Sequence, residues 1–170
     1  HEDTQPYECY TIQLYCNLTE RKEKEQQSNV IIGDNACNAI IFNNTNKHLV
    51  YDVEPVEGTI YGALGHKHGA VLAKGRVQYM GKECRCYIAD ITKSCIGFNY
   101  TAYHYGFEYN IKGPRVTIRS TQNNRTVELT INEQLMTVMP ANLFENPNLQ
   151  VNLTTLDPND KYATTLPTRS

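Results

Sequence analysis

Short runs of alternating apolar and polar residues, closed by turn-forming residues at intervals of roughly 8 to 12 positions, dominate this chain. That spacing points to a sandwich or barrel of strands. Residues 10–15 set Tyr10, Ile12 and Leu14 against Thr11 and Gln13, the period of a half-buried strand. Comparable runs fall at 30–32, 39–42, 49–53, 71–72, 76–80, 86–88, 98–103, 105–111, 116–118, 127–131, 135–139 and 149–153. Between them stand Gly33-Asp34-Asn35, Gly58, Gly62, Gly81-Lys82, Gly113-Pro114, Asn123-Asn124 and Asn146-Pro147-Asn148. The expected fold is all-β, a disulfide-stapled antiparallel β-sandwich with a β-barrel as the alternative. Residues 19–27 could be helical, but they are wholly polar, and a helix without an apolar face gains nothing from packing, so the stretch reads as a solvated loop or a short exposed helix.

A chain of 170 residues buries roughly two-thirds of its unfolded surface, enough for one core without staples. Residues 1–155 are expected to form a single extracellular domain, and residues 156–170 a Thr/Pro-containing tail, linker or stalk. Gly113-Pro114 is the best internal boundary, because all six cysteines precede it; the roughly 55 residues beyond it would be marginal alone, which favours one domain. Net charge is −2, which gives no electrostatic footprint for nucleic acid or an anionic membrane. The longest clean apolar run, residues 39–42, falls far short of the roughly 20 residues of a spanning helix, so no direct membrane insertion is expected.

Compartment comes from two further features. Asn17, Asn43, Asn99, Asn124 and Asn152 each begin an Asn-x-Ser/Thr triplet without proline in the middle, against roughly two expected by chance. Such an acceptor carries sugar only in a secretory pathway, and the sugar requires its Asn at the surface. Cys9, Cys16, Cys37, Cys84, Cys86 and Cys95 make an even count, which in that compartment reads as three disulfides. A strand running from Cys9 to Cys16 would separate its ends by about 23 Å, beyond bonding reach. Cys84 and Cys86 lie on one face of a strand. Residues 87–94 could fold back as a hairpin and join Cys86 to Cys95. No signal peptide is visible in the polar start of the chain, so the secreted reading requires that one has already been removed.

Chemistry is weakly signalled. His66 and His68 lie between glycines and would share a strand face, an arrangement able to contribute to a divalent-metal site if a third ligand exists; a solvated loop explains them as well. Cys84-Arg85-Cys86 lacks the gap of a zinc knuckle. No Gly-x-Ser-x-Gly elbow or phosphate loop is present, and Glu54 with Glu57 or Asp157 with Asp160 sit in loop-like contexts. An N-terminal His1 able to chelate copper with a second histidine resembles the copper-dependent polysaccharide monooxygenases, which are β-sandwiches; no motif surrounds a second ligand and no Trp supplies a sugar platform. The missing Trp also removes the immunoglobulin and lipocalin signatures.

Twelve Tyr against no Trp is the remaining anomaly, and the Tyr residues crowd into 98–109. If that segment is continuous strand, Tyr103, Tyr105, Phe107 and Tyr109 share one face and Phe98, Tyr100 and His104 the other. One face must fill the core, while an exposed Tyr-lined face would be a recognition surface. Asn99 lies on the Tyr103 alternation, so a bulge near Gly106 would switch faces. The candidate binding residues are Tyr61, His66, His68, Tyr103, Tyr105 and Tyr109, with residues 51–68 the longest loop-rich stretch free of acceptors and cysteines. The expected function is a non-catalytic, secreted or cell-surface glycoprotein module that binds an extracellular or cell-surface protein. It would be a receptor or envelope ectodomain, or a secreted immunomodulatory factor in a host-pathogen interaction. A carrier of small hydrophobic ligands in a barrel cavity and a copper- or zinc-dependent extracellular enzyme are the alternatives; no resident cofactor or metal is expected.

Overall fold

The computed structural model describes residues 12–16, 27–62 and 64–149. Cys9, the acceptors Asn17 and Asn152, nearly all of the polar 19–27 stretch and the 156–170 tail lie outside them. In chain order the elements are β1 (Ile12–Tyr15), β2 (Ile31–Asp34), β3 (Ile40–Phe42), a 3-10 helix (Asn44–Leu49), β4 (Tyr51–Tyr61), β5 (Lys67–Tyr79), β6 (Lys82–Ala89) and β7 (Ser94–Gly97). Helix α1 (Phe98–Tyr105) follows, then β8 (Phe107–Lys112), β9 (Arg115–Ser120), β10 (Thr126–Thr130), β11 (Thr137–Val138), a 3-10 turn (Ala141–Leu143) and β12 (Phe144–Glu145). The protein is mostly β, as its run spacing implies.

A large sheet has the order β1-β4-β5-β6-β3-β7-β2-β11, with β12 pairing the end of β5; β8, β9 and β10 form a separate antiparallel meander. The large sheet is mixed. β1 with β4, β2 with β7 and β3 with β6 run parallel, so the wholly antiparallel expectation is corrected. Each parallel pair is separated by a long stretch of chain, the condition parallel pairing requires. The sheet curls: Tyr15 N–H donates to Asn38 Oδ1 (2.9 Å) and Asn38 N–H to Tyr15 O (3.2 Å), bringing β1 back against the β2–β3 turn.

Curling gives the sheet two apolar faces and two cores. Leu14, Cys16, Cys37, Ala39, Ile41, Ile60, Val71, Ala89, Ile91 and Cys95 fill the inner core. The opposite face carries the alternate residues Ile40, Phe42, Cys84, Cys86, Ile88 and Ile96, and packs in an outer core with Phe98 of α1 and Phe107, Val116 and Ile118 of the meander. On β5, Val71 faces the inner core and Ala73 the outer, although residues two apart on a strand normally share a face. A register shift explains it: Val71 opposes Ala89 and Ala73 opposes Ile88, leaving Leu72 as the extra residue of a bulge that turns the strand over.

This alternation corrects the Cys86–Cys95 pairing. Ile41 stands opposite both Tyr87 and Cys95, so Cys95 shares the inner face with Ile41 and Tyr87, while Cys86 points to the outer face. Strand β3 lies between them. No disulfide is formed among the described cysteines; Cys16, Cys37, Cys84, Cys86 and Cys95 are buried thiols. Residues 51–68 are not loop-rich but the greater part of a long β4–β5 hairpin, whose half-pairing with β1 leaves Pro55 on an open edge where a missing N–H costs no ladder bond. Gly113-Pro114 forms the tight β8–β9 turn rather than a boundary.

The largest departure is at 98–105, where a strand was expected and a helix forms. Gly106 ends it in the left-handed conformation (φ 72°), its N–H returning to Ala102 O, a cap most other residues adopt only with strain. Thr101, wholly buried, donates its hydroxyl back to Gly97 O (2.8 Å), and Phe98 lays its ring over Gly33 of β2. Tertiary burial of Phe98 and Thr101, three residues apart, outweighs the β preference of the aromatics.

Candidate functional site

One of the six candidate binding residues, Tyr105, lines a cleft built by β4, β5, β6 and α1. Asp52 and Glu54 come from β4, Lys74, Gly75 and Arg76 from β5, Glu83, Cys84 and Arg85 from β6, and Tyr105 from α1; the space enclosed is about 510 Å³. Residues two apart on a strand share a face, so Asp52/Glu54, Lys74/Arg76 and Glu83/Arg85 line it as three pairs, with three acids against three bases. Lys74 pairs with Glu54 at 3.0 Å, and Arg76 lies 3.4 Å from Asp52 and 3.7 Å from Glu83. All are partly exposed, so each pair contributes on the order of 0–1 kcal/mol and remains free to exchange partners. Asp52 has a positive φ of 53°, a strained position that a short polar residue tolerates. Tyr51 anchors the cleft from below: its hydroxyl donates to Glu83 (2.7 Å) and accepts from Gln78 (2.9 Å), and burial, then the Glu83 bond, pushes the phenol up to about 12.

Helix α1 forms one rim. Tyr105 accepts the Arg85 N–H at 3.0 Å, fixing the helix to β6. Tyr100 packs tilted against His104 at 4.8 Å and meets Tyr105 edge-on at 6.0 Å; burial chiefly, and then Tyr105, raises the Tyr100 phenol well above its ordinary value. Tyr103 stands 85% exposed, with its ring edge-on to His104 at 5.0 Å. Asn99, one turn before Tyr103, is also exposed.

The other candidates are elsewhere. Tyr109 is inside: its ring stacks on Phe98 at 4.1 Å, and its hydroxyl joins those of Thr101 (2.6 Å) and Tyr79 (2.9 Å) in a chain between the sheets. Tyr103, Tyr105 and Tyr109 therefore do not share a face. Tyr61, His66 and His68 sit at the far end of the β4–β5 hairpin, about 23 Å along the strand from Glu54. Tyr61 packs on Tyr15 at 5.8 Å. His66 is exposed in the turn, whereas His68 lies in β5 with its ring over Gly62 and its buried Nδ1 without a partner. They occupy different settings, and no group of three or more potential metal ligands occurs among the described residues.

The three described acceptors divide. Asn99 on α1 and Asn124 in the β9–β10 turn are exposed. Asn43 is wholly buried: its Nδ2 donates to Ser28 O (2.6 Å) and Thr92 O (2.8 Å), and its Oδ1 accepts from Ser94 (3.1 Å) and from Asn46 N–H (3.2 Å). Both amide protons are committed, so sugar on Asn43 is incompatible with this packing, and the triplet there serves as a helix cap. The cleft charges escaped sequence reading, although their i, i+2 spacing at 52/54, 74/76 and 83/85 carried the signal. No protein-family model, curated protein or solved structure matches this chain.

Proposed function

We propose that this protein is a secreted or cell-surface glycoprotein module, a disulfide-stapled sandwich of two sheets, that binds another protein without catalysis. Its contact surface is the outer face of α1 with the rim of the charged cleft. The observation that carries the reading is Tyr103, a large ring held 85% exposed against His104 on a helix whose other side is locked into the core. A rigid, exposed tyrosine costs little entropy to dock, and Tyr and Arg are the residues that dominate binding hot spots. Arg76 and Arg85 line the cleft that Tyr105 of the same helix borders. Exposed acceptors at Asn99 and Asn124 support the secretory part. A cleft lined by charged side chains suits a polar protein surface better than an apolar small ligand, which weighs against the carrier.

The test captures partners by cross-linking the secreted, glycosylated chain to cell surfaces and extracellular fluid, then titrates the partner found. Tyr103→Ala should weaken binding about tenfold or more with no change in melting temperature. Unchanged affinity would reject this face; no partner across a broad panel would reject the binding reading.

A further inference from the structure

We propose that Cys37 and Cys95 form a disulfide in the secreted protein, stapling the β2–β3 turn to β7 inside the inner core. Their sulfurs lie 3.2 Å apart, and the residues are 2% and 0% exposed. A bond needs about 2.05 Å, so closing it asks for roughly 1 Å of side-chain rotation and no movement of a strand. The backbone already holds the partners together. Gly97 N–H donates to Ala39 O at 2.9 Å, and a Cβ on Gly97 would collide with the Cys37 carbonyl, so residues 37–39 lie directly against the end of β7.

A third thiol, Cys16, packs in the same core and hydrogen-bonds Cys95. It is the competitor for the bond. Its backbone, however, is tied to β4 through Cys16 N–H to Tyr61 O (3.0 Å), whereas the segment carrying Cys37 is tied to β7 through Ala39 O, with the Cys37 carbonyl packed on Gly97. Cys84 and Cys86 are excluded, because they face the outer core.

The proposal rests on the secretory reading only for its oxidising compartment. There, one thiolate of the pair attacks the disulfide of a thiol–disulfide oxidoreductase, giving a mixed disulfide; the second thiolate displaces the enzyme's sulfur. Two thiols lose two protons and two electrons, and the oxidant's disulfide is reduced to a dithiol. Neither sulfur is accessible once the core has closed, so the bond forms during folding. It spans 58 positions and encloses β3 to β6, a loop long enough for the cross-link to restrict the unfolded chain strongly.

Peptide mapping of the full secreted chain, without reduction and with free thiols blocked under unfolding conditions, tests this directly. The expected product is a Cys37–Cys95 linked peptide. Cys95 linked to Cys16 or to any other cysteine overturns the proposal, as does recovery of Cys37 and Cys95 both blocked. The same digest reads sugar on Asn99 and Asn124, so a failure of the secretory reading appears as bare acceptors and is distinguished from a failure of the pairing. In a second measurement, reductant should lower the melting temperature of the native chain by about 5–15 °C. The drop should vanish in Cys37→Ala and persist in Cys84→Ala; a full drop in Cys37→Ala would overturn the assignment.

Discussion

The two cores of this protein solve the same problem with different materials. The outer core is built from rings: Tyr79 packs on Phe107 at 4.4 Å and on Phe144 at 5.1 Å, and Phe42 meets Phe144 edge-on at 5.5 Å. Its one polar thread, the Thr101–Tyr109–Tyr79 hydroxyl chain, is satisfied at every link. The inner core holds no fully buried ring and is filled by aliphatic side chains and three cysteines. Curvature explains the contrast, since the concave side of a tightly curled sheet has room only for modest side chains, while the convex side must reach a second layer. Packing of large rings holds one core; small aliphatic residues and thiols fill the other.

That contrast can be broken at either core. Phe107→Ala removes the ring that joins the meander to β5 and should cost about 3–5 kcal/mol in denaturant unfolding, by the same amount with and without reductant. A cost that changed on reduction would mean that the two cores are not energetically separate. Asn43→Ala, at the margin of the inner core, takes the amide donor from the Ser28 carbonyl, while Thr92 O keeps the Ser28 N–H, and should cost about 1–3 kcal/mol; intact-mass analysis of the native protein should show no sugar at Asn43. Occupied Asn43 would refute the buried cap. Tyr79→Phe keeps the outer ring stack and deletes one hydroxyl link, with an expected loss of about 0.5–1.5 kcal/mol, because Tyr109 retains Thr101. A loss near that of Phe107→Ala would make the polar thread, and not ring packing, the basis of the outer core.

Alkaline titration gives a smaller and more diffuse effect, weighted to the outer core. Burial pushes the Tyr109 phenol up to about 12 from an ordinary 10.0, and the Cys84 thiol up to about 12 from 9.0. The folded state therefore holds protons that the unfolded chain releases, and this stabilisation is complete below about pH 9 and declines as pH rises towards 12. Urea midpoints between pH 8 and 11 should fall steadily. A flat profile would place Tyr109 and Cys84 in a wetter environment than the packing implies.

Much of the fold was legible from period-two patterning. The runs at 30–32, 39–42, 86–88, 116–118 and 127–131 lie in or overlap β2, β3, β6, β9 and β10, because each is a short apolar or alternating segment. The run at 98–103 misled for a physical reason. Its aromatic composition favours strand, yet Phe98 and Thr101 are the residues that bury, and that spacing belongs to a helix. Strand β7 was missed because Ser94-Cys95-Ile96-Gly97 is buried on both faces and holds one aliphatic residue, so neither alternation nor an apolar run marks it. The site was half visible: the sequence singled out Tyr103 and Tyr105, but not the charged cleft that Tyr105 borders.

Sequence alone determined the β character, the positions of five possible acceptors, and a cysteine set able to staple. Those properties follow from local spacing and side-chain chemistry. Only the tertiary structure decided that Asn43 caps a helix from within, that Tyr109 belongs to the core while Tyr103 meets solvent, and which cysteines are neighbours. A bulge at Leu72, the curl that returns β1 to Asn38 and the left-handed cap at Gly106 each reassign a face of the chain. Which residues then meet depends on pairings between segments distant in sequence, and the pattern along a single strand does not encode those pairings.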